Sequence, residues 1–113
     1  VTAGKGFVAS RMAGTSANVM SHMAIGTGST AAGASDTALG SEAARTALTS
    51  TNVSGAVVTY VDTFAAGTGT GAITEAAILN ASSGGTMLCR TVFSVVNKGA
   101  SDSMTITWTV TAS

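Results

Sequence analysis

The chain has 113 residues, enough for one domain around one hydrophobic core. Only 9% of them are charged, against ~25% in ordinary domains, and five basic side chains cancel five acidic ones. This excludes a basic patch that would hold nucleic acid and a polybasic stretch that would hold a membrane surface, while the lone Cys89 excludes an internal disulfide.

Residues 3–13 (AGKGFVASRMA) place Phe7, Val8, Arg11 and Met12 at helical spacing, with Gly14 as a stop. A short helix is predicted there, its first turn weakened by Gly4 and Gly6. Residues 19–26 (VMSHMAIG) read as a strand, with Val19, Ser21, Met23 and Ile25 on one face and Met20, His22 and Ala24 on the other. Residues 26–35 form a loop of small residues. Ser35 and Asp36, followed by Ala38, Leu39 and Ala43, predict a short helix or turn ending near Arg45. Residues 46–53 and 56–64 read as two antiparallel strands turning over 52–55. A second glycine loop, GTGTG, spans 67–71.

Three further strands are predicted over 72–81, 86–97 and 104–112, joined by hairpin connections at 82–85 and 98–103. The last alternates strictly: Met104, Ile106, Trp108 and Val110 on one face, Thr105, Thr107, Thr109 and Thr111 on the other. Its apolar face, Trp108 included, is expected in the core. Six strands with short turns and little helix argue for an all-β fold, an antiparallel β-sandwich or jelly-roll-like barrel with a short N-terminal helix. A single domain is expected, with residues 1–18 as a helical appendage and 19–113 as the sandwich.

The sequence is poor in chemistry. His22, the only histidine, sits between methionines and reads as a core residue, since a metal site needs several donors at ligand spacing. No GxSxG elbow accompanies it. Cys89 lies in the apolar run Met87-Leu88-Cys89 and reads as a small hydrophobe. Nothing in their spacing brings Glu42 and Glu75 together, and Glu75 reads as solvated or paired with an arginine. The loops at Gly26 and Gly67 contain GxG but lack the GK[ST] ending of a phosphate loop, and the second runs into a strand. No catalytic, cofactor-binding or metal-binding residue is therefore assigned. A sugar-binding sandwich would need exposed aromatics, and only Tyr60 is available for that if Trp108 faces the core. Near-zero charge and an abundance of Ser, Thr, Ala and Gly suit a subunit of an assembly, because small side chains lose little entropy when covered. Phe7, Met12, Met20 and Met23 are the expected contact residues, methionine being adaptable on irregular surfaces.

Three segments carry a resemblance. GKGFVASRMAG (Gly4–Gly14), MAIGTGSTAAGASDTAL (Met23–Leu39) and the stretch from GTGTGAITEAAILN to the end (Gly67–Ser113) resemble a family of small tailed-bacteriophage structural proteins. That family shows an IGTG-x-TAA-x-x-x-DTAL loop, an arginine-containing strand, GTGTG-x-ITEAGI-(F/L)-N and an (M/L)-x-R-T-V-F strand. Arg45, Thr74-Glu75 and Arg90-Thr91 stand at the matching places. The chain departs at Ala77, where the pattern has glycine, and at Leu79, where an aromatic is common.

The resemblance implies a non-enzymatic capsid cement (decoration) protein on the outer surface of the virion. Its implied partners are the major capsid protein and further copies of itself, as a dimer or trimer, with no cofactor, nucleic acid or membrane. A tail, baseplate or fibre-attachment component is the alternative. Fibres carry a long region after the attachment module, whereas this chain stops at Ser113 directly after its last strand, which favours cement.

Overall fold

The computed structural model describes residues 2–13 and 18–111. Its elements are α1 (Thr2–Met12), β1 (His22–Gly26), β2 (Glu42–Ala47), β3 (Ser50–Ser54), β4 (Val57–Phe64), β5 (Gly71–Leu79), β6 (Met87–Lys98) and β7 (Met104–Thr111). All strand pairings are antiparallel. They form a four-stranded sheet in the order β2-β1-β5-β6 and a three-stranded sheet in the order β3-β4-β7. The fold is all-β with one short helix, as expected. The two sheets are not hydrogen-bonded into a closed barrel.

The period of two explains the core. In the four-stranded sheet, Met23, Ile25, Ala76 and Ile78 turn inward, and Tyr60 and Phe64 of β4 meet them from the other sheet. Along β7 the burial alternates at every residue, with the threonines outside. Met104, Ile106, Trp108 and Val110 pack against the core but are only half-buried. Full burial of Trp108 is therefore corrected, because β7 is the last strand of its sheet and no further strand covers its inner face.

The β5–β6 register shifts at a bulge: Ile73 faces Val96 and Glu75 faces Val92, so the extra residues lie on β6. Across this irregularity Ile73 and Ala76 lie on the inner face, and Glu75, Ala77 and Leu79 on the outer one. That outer face is nonetheless buried. Ala24, Ala77, Leu79 and Met87 form a second apolar cluster, closed by Leu39 from the long connection between β1 and β2. Both faces of β1 and of the second half of β5 are thus covered, and all five residues from Ala76 to Leu79 and Glu75 are shielded from water.

The segment 35–45 is not helical. Of the two alternatives expected there the turn forms: the Asp36 amide donates to the Gly33 carbonyl (3.1 Å) and its carboxylate accepts from the Gly33 amide (2.8 Å). EAARTA becomes strand β2, because pairing with β1 overrides alanine's helical preference. The predicted strand over 46–53 is two strands, β2 and β3, broken at Leu48 and Thr49, whose amides bond to the Ser21 and Val61 carbonyls. The expected helix stop at Gly14 and the end of the last strand at Ala112 lie outside the described residues.

Helix α1 lies against β6. Gly4 is its buried residue, and a Cβ there would run into the backbone carbonyl of Leu88. The Thr2 amide donates to the Ala34 carbonyl (2.7 Å), and Phe7 packs on the main core. Gly4 is thus the point of contact between helix and sheet. Gly6 has no neighbour at its Cβ position. Replacing an exposed helical glycine by alanine stabilises by ~1 kcal/mol. Gly6→Ala is expected to follow this rule, whereas Gly4→Ala should destabilise by about 1–3 kcal/mol through overpacking against backbone. Urea denaturation of the two variants distinguishes a docked helix, for which the signs differ, from a loose appendage, for which both stabilise.

Candidate functional site

The charged residues come first, because a chain with so few of them would spend them on chemistry if it had any. Glu75 is fully buried. Its Oε2 accepts from the amides of Gly28 and Ser41, each at 2.8 Å, and its Oε1 from the amide of Gly40 at 2.8 Å. Arg90, on the neighbouring strand β6, donates to the same Oε1 from Nε (3.0 Å) and Nη2 (2.9 Å). The guanidinium also donates to the Asp36 carboxylate (2.9 Å) and the Thr30 carbonyl (2.9 Å), while the Thr74 hydroxyl donates to the Gly28 carbonyl (2.7 Å). Together these bonds fasten residues 27–41 onto the outer face of the four-stranded sheet. Gly28 and Gly26 allow the approach, since a Cβ at either would meet the Glu75 carboxylate.

Burial acts to raise the pKa of Glu75, but the amides of Ser41 and Gly40, the Arg90 guanidinium and the Gly28 amide outweigh it and hold the carboxyl below its ordinary value. Asp36 is lowered as well, first by the Gly33 amide and then by Arg90. Asp62, also buried, moves the other way: desolvation raises it despite hydrogen bonds from the Thr46 and Thr49 hydroxyls.

The remaining charges also hold loops. The buried Lys98 donates from Nζ to the carbonyls of Ala65 and Asp102, each at 2.8 Å. Arg45 pairs with Glu42 (2.8 Å) and donates to the carbonyls of Ala81 and Gly84. Asp102 accepts from the Gly99 amide (2.8 Å). All five acidic side chains are therefore engaged in holding backbone or neighbouring side chains, and Glu42 and Glu75 face different partners. Among the described residues there is no group of three or more His, Cys, Asp or Glu that could hold a metal ion.

The other residues singled out by sequence are placed plainly. His22 is half-buried, with Nδ1 2.7 Å from the neighbouring Ser21 hydroxyl. The Asp62 oxygens are bonded to threonines. Cys89 is half-buried beside the core, and desolvation pushes its thiol up to about 11, so it stays protonated near neutrality. Of the four residues expected at a contact surface, Met20 and Met23 belong to the monomer's own core, at 6% and 0% exposure. They cannot reach a neighbour, because the inner face of β1 is covered by the second sheet. Phe7 is half-buried on the core, and Met12 is 83% exposed.

Apolar openings lie at the surface of the described residues. One, of about 1110 Å³, lies between α1 and the sheet beside it, lined by Phe7, Val8, Met12, Tyr60 and Val110. Another, of about 530 Å³, is a groove between β6 and β7, with Phe93, Val96, Met104, Ile106 and Trp108 in its walls. Each of those two strands is the last of its sheet and has one edge without a strand partner among the described residues. The sheets are offset: β3 is exposed at all five positions at one side, and Ser94 to Asn97 of β6 at the other. Sequence reasoning missed this groove, because periodicity gives a strand's faces and not its neighbours. Neither opening converges titratable groups on a point, and both offer apolar contact area.

The carboxylate latch predicts an acid response with a defined sign. Glu75 has a lowered pKa, so its stabilisation is complete above the ordinary value of 4.5 and is lost as pH falls through its lower folded value. Asp62 acts in the opposite sense, stabilising most below its ordinary value of 3.8 and less as pH rises through its raised one. Site-resolved hydrogen exchange separates the two: protection of the Gly28, Gly40 and Ser41 amides should fall on acidification below about pH 4.5. Glu75→Gln should remove that pH dependence and cost about 3–5 kcal/mol, the usual effect of breaking a buried pair. Unchanged protection of these amides in Glu75→Gln would contradict the latch.

Compared with protein-family models, with curated proteins and with solved structures, the chain matches none, so the functional reading rests on its residues and their geometry.

Proposed function

We propose that this chain is a non-enzymatic structural subunit, a capsid cement protein of a tailed phage that bridges major capsid protein subunits on the outer surface of the virion. The observation that carries the reading is the pair of open strand edges on β6 and β7. From Thr91 to Asn97 and from Met104 to Thr111 there is no charged residue and no proline. Proteins that live as free monomers guard long edges with lysines, prolines or bulges. β6 carries one such bulge, between Val92 and Val96, whereas β7 carries none of the three; an unguarded edge like that of β7 beside an apolar groove is what a subunit presents to a neighbour.

The resemblance of residues 4–14, 23–39 and 67–113 to phage structural proteins supports the same reading. So does the use of the charged side chains as loop fasteners, which leaves the stretches 91–97 and 104–111 without charge. In this reading the two sheets form a β-sandwich wound as a jelly roll. The chain oligomerises as a dimer or trimer, with the exposed Met12 and the half-buried Phe7 of α1 as candidate contacts. Each copy would act through area, with many modest contacts made irreversible by multivalency on the shell.

Copy number tests the location. Quantitative mass spectrometry of purified virions should give on the order of hundreds of copies, as a shell-wide bridging protein requires. A count of a few to a few dozen would instead place the chain in the tail or baseplate. In cosedimentation, purified protein should bind empty shells. Failure to bind shells, with the protein folded, would overturn the cement role.

A further inference from the structure

We infer that the groove between β6 and β7 receives a single extended segment donated by a partner polypeptide, which adds as a fourth strand beside β7. The inference names the partner's chemistry at the surface on which the proposed assembly role rests. Four observations converge on a strand. The three-stranded sheet is one strand narrower than the sheet that faces it. The missing place is on the β7 side, where β6 lacks cover and the groove opens. The free edge of β7 offers unpaired backbone donors and acceptors at alternate residues, which only another extended backbone satisfies in sequence. The row Met104, Ile106, Trp108 and Val110 remains half-buried, short of the burial that a neighbouring strand gives.

The lining also states what the segment looks like. Its inward residues, every second one, are apolar, because Phe93, Val96, Ile106 and Trp108 face them. Its outward residues continue the threonine face, where Thr63 and Thr105 already hydrogen-bond across β4 and β7 at 2.9 Å. It carries no charge within the paired span, since neither wall has a charged residue to meet one. The length of β7 allows up to eight paired residues. A second whole copy, pairing two β7 edges about a two-fold axis, is the alternative occupant that the test distinguishes.

The test uses a capped peptide of alternating valine and threonine, eight residues long, with a lysine outside each end of the paired span. Trp108 is the only tryptophan and reports occupancy directly. Titration of the intact protein should give saturable one-to-one binding with a blue shift of Trp108 emission, and an all-threonine peptide of equal length should not bind. Val96, 44% exposed on the groove wall, is the position for a blocking charge that leaves the core alone. V96K should bind the peptide at least tenfold more weakly while keeping the wild-type circular dichroism and melting temperature. Absence of saturable binding, or equal binding by V96K, overturns the inference. A dimer in light scattering that V96K dissociates would also overturn it, making a second copy the occupant. No shell enters this experiment. The groove can therefore fail while shell binding stands, and shell binding can fail while the groove accepts its strand.

Discussion

One carboxylate organises the fold. Glu75 is buried on the outer face of the four-stranded sheet, a place where an isolated charge would not be tolerated, and it is stable there because three amides and a guanidinium converge on it. The amides come from residues 28, 40 and 41, so the same bonds that stabilise the charge also draw the β1–β2 connection down onto the sheet. Leu39 then closes an apolar layer over Ala24 and Ala77. Burial of the charge and burial of the second core are thus one event. A salt bridge of this kind adds specificity of geometry more surely than net stability, since a well-packed apolar replacement would cost no desolvation. Here the geometry is the product: a long connection without regular structure has one place to lie.

Much of this was legible from residues. Strict alternation in residues 104–111 gave the faces of β7, and the turn at 82–85 gave the β5–β6 hairpin; the hairpin expected at 98–103 is instead a crossover, because β6 ends one sheet and β7 pairs with β4 in the other. The Arg partner of Glu75 was one of two readings of a glutamate inside an apolar strand, and the structure selects it. The burial of Glu75 was not legible, because it depends on the bulge before it and on a loop 34 to 47 residues distant in sequence. Of the helix or turn expected near residues 35–45 the turn is what forms, for a related reason. Asp36 carries both a cap signal and a turn signal, and the arginine it meets, Arg90, lies 54 residues away. Met20 and Met23 were misplaced because periodicity identifies a buried face without saying whether a sister sheet or a sister subunit buries it.

The motif residues that carry the resemblance are the same ones that build the latch: Gly26 and Gly28 of the first loop, Asp36 and Leu39 at its end, Thr74-Glu75 and Arg90 on the two strands beneath. Each is explained by the fold. They therefore describe how such a domain holds its loop, and the surface that would meet a partner is elsewhere, on β6, β7 and α1. The division has a physical logic. Charges placed inside are fixed by hydrogen bonds and protected from salt, and edges left without charge can be covered by a neighbour with little desolvation cost.

The latch also bears on the rate at which the domain comes apart. Glu75 and Arg90 belong to adjacent strands of a hairpin and can meet early, whereas the amides that complete the site stand 47 and 35 residues from Glu75 along the chain. Contacts across such separations form after local pairing, because loop-closure entropy must be overcome first. Interactions made after the folding barrier leave the folding rate nearly unchanged and slow the reverse reaction. A loop at residues 27–41 that docks after the barrier would act as a kinetic brake, lengthening the life of the folded domain beyond what its equilibrium stability alone provides. For a subunit of the kind proposed, lifetime would matter more than equilibrium stability.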